Sequence, residues 1–165
     1  VLQLQDKQLG GGIPPSLGNL VNLRWLDLGG NQLTGAIPPQ LGDLSELQDL
    51  GLDGNRLEGF VPAELGGLSN LVSLRLQNNA LGGEVPSAIS RLTKLGSLEW
   101  YEKSDFDYNK LSATDPTVAS FLDGVDPDWA ETQTVLPTEV RVTSVTSTTV
   151  EIAWTPISYK VDGCC

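Results

Sequence analysis

Leucines recur along this chain at a fixed interval of 24 residues. Leu2, Leu26, Leu50, Leu74 and Leu98 form one column, and Leu4, Leu28, Leu52, Leu76 and Trp100 form the next. Polar positions keep the same register, with Asn31, Asn55 and Asn79 aligned to Lys7 and Lys103. Gly11, Gly35, Gly59 and Gly83 follow, then Ile13, Ile37, Val61 and Val85, then Pro14, Pro38, Pro62 and Pro86. A period in the twenties marks a solenoid, in which each repeat buries its apolar side against its neighbours. The L-x-L segments alternate apolar and polar positions, which predicts short strands with the leucines inward. Strands of successive repeats then stack about 4.8 Å apart. Each Asn closes the turn after its strand, because one amide can donate to and accept from backbone groups that a bend leaves unpaired. The Gly of each repeat serves a backbone conformation closed to other residues. The Pro starts a one-turn helix, since its fixed φ suits the first helical position.

The segments LTGAIPPQLGDL, LEGFVPAELGGL and LGGEVPSAISRL share the pattern L-x-G-x-I-P-x-x-L-G-x-L. That pattern resembles the plant-specific subtype of leucine-rich repeat, and the resemblance covers residues 1–98. It implies an α/β solenoid. The coil would be right-handed and curved, with parallel strands on the concave face and short 3₁₀ or helical turns on the convex face. It also implies extracellular or cell-surface recognition as the usual task.

The repeats run over 1–22, 23–46, 47–70 and 71–94. A fifth begins at Leu95 and loses the pattern after Trp100, giving about four and a half repeats over 1–104. Asp105 and Asp107 stand where the 24-residue spacing expects Leu and Gly. The register returns six residues late, with Phe106, Asn109 and Lys110–Leu111 of FDYNKL matching LDLGGNQL, so YEKSDF reads as an insertion. Residues 105–136 read as a cap. Asp115-Pro116 gives a helix start, and Val118, Phe121, Leu122 and Trp129 can cover the last coil. From Pro137 the chain turns rich in Thr, Val and Ser, and two strands around Ser147-Thr148 follow from the alternation. Pro137, Val140, Val142 and the V-x-I-x-W-x-P run from Val150 to Pro156 resemble the first two strands of a fibronectin type III domain. The resemblance implies a small all-β piece over 137–165 with Trp154 in its core, and the pairing of modules resembles bacterial surface proteins.

Charge narrows the partners. The net charge is −11 and the isoelectric point about 4.2, which excludes the basic surface that nucleic acid requires. No apolar run is long enough to span a bilayer. The chain has no His, and its two cysteines are the adjacent Cys164 and Cys165. Adjacent cysteines do not readily bridge each other, because a disulfide holds its Cα atoms about 5.5 Å apart. Without His, a Ser, Thr or Cys nucleophile lacks its usual base and zinc lacks its usual ligands. No cofactor is expected. Asp105, Asp107 and Asn109 have the opening spacing of a calcium loop, but Lys110 replaces the Gly at its sixth position and Pro116 the Glu at its twelfth.

The outward positions of the strands are the better candidates. They form the columns Arg24, Gln48 and Val72; Trp25, Asp49, Ser73 and Ser97; Gln3, Asp27, Gly51, Arg75 and Glu99; and Gln5, Asp53, Gln77 and Tyr101. Trp, Arg and Tyr supply many binding hot spots. The reading is therefore a non-catalytic scaffold binding a protein or glycan, part of a larger secreted or surface protein. A self-assembling role stands beside it, because the first repeat shows no cap and an open edge invites pairing. An ice-binding or inhibitor role would rest on the plant-type resemblance alone, and Thr34 is the only Thr in its column.

Overall fold

A computed structural model describes residues 1–97, 104–133, 138–145 and 150–155, the last two ranges as backbone. The chain divides into two units, Val1–Gln133 and Thr134–Cys165. In the first, the L-x-L segments become β1 (Leu2–Gln3), β3 (Trp25–Asp27), β5 (Asp49–Gly51) and β7 (Ser73–Arg75). They pair in parallel in the order β1-β3-β5-β7, with Leu26 opposite Leu50 and Leu50 opposite Leu74. Inward alternation buries Leu26, Leu50 and Leu74 completely. The L-x-G stretch builds a second parallel sheet from β2 (Gly10–Gly11), β4 (Gln32–Gly35), β6 (Arg56–Gly59), β8 (Ala80–Glu84) and β9 (Lys110–Ser112). Gly11, Gly35, Gly59 and Gly83 have φ between +76° and +83°, a region that L side chains rarely enter.

The turns opposite the strands are 3₁₀ helices at Pro15–Asn19, Pro39–Asp43, Ala63–Gly67 and Ser87–Arg91. Pro14, Pro38, Pro62 and Pro86 do not start them, contrary to expectation. Each takes the preceding cap position in extended conformation, with ψ from 127° to 140°. Proline's fixed φ suits either place, and the extended strand before it decides. The Gly after Leu in the first three turns permits close stacking, and the fourth has Ile89-Ser90 there. A Cβ on Gly42 would sit 2.4 Å from the Glu64 carbonyl oxygen, and one on Gly66 would sit 2.3 Å from that of Ala88.

Asn31, Asn55 and Asn79 form the expected ladder. Asn55 Oδ1 accepts from Leu33 N–H at 3.0 Å, and Asn55 Nδ2 donates to the carbonyls of Leu28, Leu52 and Asp53, each at 3.0 Å. Asn109 continues the ladder, accepting from Leu81 N–H and donating to Leu76, Phe106 and Asp107. Gln133 ends it. Its Oε1 accepts from Leu111 N–H at 3.0 Å and its Nε2 donates to the Phe106 carbonyl at 3.1 Å. These partners lie 22 and 27 residues back, the same offsets that Asn55 uses.

The register slip differs from the sequence expectation. Gly96 N–H still bonds the Val72 carbonyl, at a spacing of 24. By Ser104, whose Oγ accepts from Leu74 N–H, the spacing is 30. Asp105 pairs with Arg75, and Phe106 follows Leu76 into the core, fully buried. Ser104, Asp105 and Phe106 are therefore strand positions, and the six additional residues fall between Gly96 and Ser104. The column after Arg75 passes to Asp105, not Glu99, and the column after Gln77 to Asp107, not Tyr101. Trp100 likewise yields the inward column to Phe106. Glu99, Trp100 and Tyr101 lie outside the described residues.

The cap is α1 (Pro116–Val125), whose N-cap Asp115 accepts from Thr117 N–H at 2.8 Å. Val118, Leu122 and Trp129 are buried in the core, and Phe121 packs against it half-buried. Burying each such side chain contributes about 1.5–3 kcal/mol, which is what keeps the last leucine layer dry. In the second unit β10 (Thr138–Val145) pairs antiparallel with β11 (Val150–Thr155). Ser147, Thr148, Pro156, Cys164 and Cys165 lie outside the described residues, and so does the Trp154 side chain.

Candidate functional site

Three strands aim side chains outward from the inner sheet, and their centre is Arg75. Its guanidinium reaches Asp27 at 3.1 Å, Asp49 at 3.2 Å and Asp53 at 3.4 Å, one carboxylate from the second repeat and two from the third. Nη1 also approaches Ser73 Oγ at 3.5 Å. Gly51 makes this reach possible. It stands between Asp27 and Arg75 in the column, and a Cβ there would lie 2.5 Å from Arg75 Nη2 and 2.9 Å from Asp27 Oδ1. Gly29 does the same for Asp53, whose Oδ1 would meet a Cβ at 2.9 Å. A guanidinium accepts several carboxylates at once because it offers five N–H donors in a plane. Asp53 keeps 30% of its side chain in water and Asp27 keeps 21%, so the surplus negative charge stays solvated.

Arg75 is thus no exposed hot spot, being only 8% exposed. Trp25 is exposed, at 38%, in the strand β3 of the same face, less so than Phe60 and Tyr108 elsewhere. Arg24 projects beside it and sits 3.9 Å from Glu46, with both side chains half in water or more. Gln48 and Gln77 are half-buried in their columns. Gln77 Oε1 is shielded from solvent and has no hydrogen-bond partner.

Asp105 and Asp107 extend this face by one strand. Asp105 Oδ1 accepts from Asp107 N–H at 2.9 Å, as Asp27 Oδ1 accepts from Gly29 N–H at 2.9 Å. Asn109, the third calcium candidate, does not join them, because the ladder uses its amide. Asp126 comes in its place, and carboxylate oxygens of Asp105, Asp107 and Asp126 all lie within 4.8 Å of one another. Protein donors already hold all three groups, Asp105 through the Asp107 N–H. Phe106 N–H donates to Asp126 at 2.8 Å and Thr132 donates to Asp107. Calcium takes six to eight oxygens, so three partly engaged carboxylates fall short of a cage. Burial pushes Asp126 up to about 7, reinforced by Asp107, Asp105 and Asp128. Burial also raises Asp105, with Asp107, Asp128 and Asp53 adding to it. Sequence spacing gave no hint of Asp126, since it comes from the cap. Gln133 could have been found from its 24-residue distance to Asn109.

A family model described as leucine-rich repeat matches residues 1–57 and 22–81. These are leucine-rich repeats. Comparison with curated proteins returns no match. Among solved structures, the chain is 35% identical to the BIR2 ectodomain of Arabidopsis thaliana, with a TM-score of 0.59, covering 70% of this chain and 60% of that one. It is 40% identical to a chain of the Arabidopsis thaliana BIR3–SERK2 complex, with a TM-score of 0.61 and coverage of 72% and 61%. It is 33% identical to the Arabidopsis receptor kinase HAESA leucine-rich-repeat ectodomain, solved with an IDA peptide hormone, with a TM-score of 0.61 and coverage of 69% and 18%. The chain therefore spans about 60% of the first two relatives. Its fold is the leucine-rich-repeat α/β solenoid, with parallel strands on one face and 3₁₀ turns on the other. Among the described residues no helix is long and apolar enough to cross a membrane.

Proposed function

We propose that this chain is a non-catalytic, extracellular or cell-surface scaffold whose inner strand face binds a protein or peptide. One observation carries the reading. The face is fixed before any ligand arrives, because Arg75 of the fourth repeat ties together carboxylates of the second and third while Trp25 stays exposed beside them. A preformed surface loses little conformational freedom on binding, and an exposed Trp is a favoured anchor. Relatives of the same fold are an ectodomain in complex with a peptide hormone and a chain from a two-protein complex, which favours a protein partner over a glycan. Arg24, Trp25, Asp27, Gln48, Asp53 and Gln77 are the contact residues in this reading, with the buried pair Arg75 and Asp49 holding them in place. Residues 137–165 are read as the start of a fibronectin type III-like module, consistent with the antiparallel pair β10 and β11.

Selection of a displayed random peptide library on the purified chain tests the reading. Binders should lose at least tenfold in affinity with Trp25→Ala. Binders indifferent to Trp25, Arg24 and Gln48 would place recognition elsewhere.

Self-association is a second reading, favoured by an apolar hollow of about 260 Å³ at the first repeat. Leu2, Leu4, Leu9, Ile13, Leu17 and Leu28 are among its lining residues, beside the edge strands β1 and β2. Light scattering across a hundredfold range of concentration separates the two. A constant monomer mass rejects self-association.

A further inference from the structure

Phe60 follows β6 on the second sheet, away from the inner face, and is 72% exposed. Its ring lies against Gly83 of the next repeat, where a Cβ would stand 2.6 Å from both Cδ1 and Cε1. The missing side chain seats the ring on backbone and leaves most of it in solvent. Glu84 comes next in the chain and is exposed, yet its carboxylate is held. Oε1 accepts from Ser112 Oγ at 2.8 Å, and Oε2 accepts from Thr114 N–H at 2.9 Å and Thr114 Oγ1 at 3.2 Å. Among the described residues Glu84 has no Lys or Arg within ion-pair reach. An oriented carboxylate keeps spare lone pairs beside a seated aromatic ring, so two unlike contacts are preformed side by side.

The surroundings decide what fits. The repeat register puts Ala36 and Glu84 on either side of Phe60, so no apolar surface continues from the ring for a protein partner to bury. The exposed charges around it, Arg56 and Glu58 on β6, Glu84 on β8 and Lys110 on β9, balance two against two. A charged ligand therefore gains little here. A pyranose matches the combination. Its face carries C–H bonds that the negative face of an aromatic ring attracts. Its rim carries hydroxyls, which donate to a carboxylate with charge-assisted strength and accept from Arg, Lys, Ser and Thr. We propose that Phe60 and Glu84, with Ser112 and Thr114, form a binding site for a neutral glycan, one pyranose stacking on Phe60 and donating its hydroxyls to Glu84. The site lies on a different sheet from the inner face and stands whether or not that face binds a peptide.

Isothermal titration with neutral β-linked hexasaccharides of glucose, xylose and mannose tests it, with hexagalacturonate as the anionic counterpart. Circular dichroism melting confirms that each variant is folded. A neutral hexasaccharide should bind saturably. Phe60→Ala should weaken it about tenfold or more, Glu84→Gln about three- to tenfold, and Phe60→Trp should hold within about threefold. Trp25→Ala, on the inner face, should leave it within about twofold. No saturable binding of any neutral hexasaccharide at up to about 10 mM, or binding indifferent to Phe60→Ala, would overturn the proposal. Tighter binding of hexagalacturonate than of every neutral probe would also overturn it. Loss with Trp25→Ala but not Phe60→Ala would overturn it by moving the glycan to the inner face. Concentration-dependent mass in light scattering that Phe60→Ala abolishes would overturn it by giving the ring to a second copy of the chain.

Discussion

Asp126→Asn should stabilise the protein at pH 8 and lose that advantage toward pH 4.5. The carboxylate is 6% exposed at the joint between the last coil and the cap. It faces Asp105 and Asp107 from the coil and Asp128 from the cap, and among the described residues its side-chain donor is Phe106 N–H at 2.8 Å. Asn keeps an oxygen for that N–H and removes the charge. The folded protein binds this proton more tightly than the unfolded chain, because the group is raised from 3.8 to about 7. Its contribution to stability is therefore complete below pH 3.8, declines as the pH rises, and is gone above about 7. At 1.36 kcal/mol per pH unit, the ceiling on the loss is about 4 kcal/mol. Urea denaturation followed by circular dichroism at pH 4.5, 6 and 8 measures it. The variant should gain several kcal/mol over wild type at pH 8 and come within about 1 kcal/mol at pH 4.5. A variant less stable than wild type by the same amount at every pH would refute the reasoning, since the charged carboxylate would then be a required partner.

Arg75→Met should cost about 3–5 kcal/mol in the same assay, because three carboxylates lose their shared cation; a loss under 1 kcal/mol would mean water serves them equally well. Gly42→Ala should cost about 1–3 kcal/mol, since its Cβ meets backbone of the next coil. Gly124→Ala, in α1 with nothing within 4 Å, should gain up to about 1 kcal/mol. Asn55→Ala should cost about 3 kcal/mol by stranding Leu33 N–H and the carbonyls of Leu28, Leu52 and Asp53.

The solenoid was legible because one constraint repeats. Each coil buries the same leucines and spends the same Asn amide, so Leu26, Leu50 and Leu74, and Asn31, Asn55 and Asn79, announce themselves by spacing. The site was legible only in part. Arg75 occupies an outward position and so reads as exposed. What buries it is Gly51, whose missing side chain lets the guanidinium lie flat across the sheet to Asp27. A column count cannot weigh a gap against a neighbouring long side chain. The slip between Gly96 and Ser104 misdirected Glu99 and Tyr101 for a related reason. Spacing alone finds where a register resumes only through residues with a fixed duty, and Asn109 had one while Asp105 and Asp107 did not. Gln133 escaped because it does the work of Asn with one more methylene, and Asp126 because the cap brings it back from outside the repeat.

The central claim is that the inner strand face recognises a partner. Backbone amide chemical-shift mapping with a library-selected peptide tests it most directly. The account predicts shifts concentrated at Arg24–Asp27, Gln48–Asp53, Ser73–Gln77 and Asp105–Asp107, with the Trp25 indole among the largest. Shifts centred on Gln32–Gly35 and Arg56–Gly59, or on Leu2–Leu17, with the inner face unmoved, would contradict it.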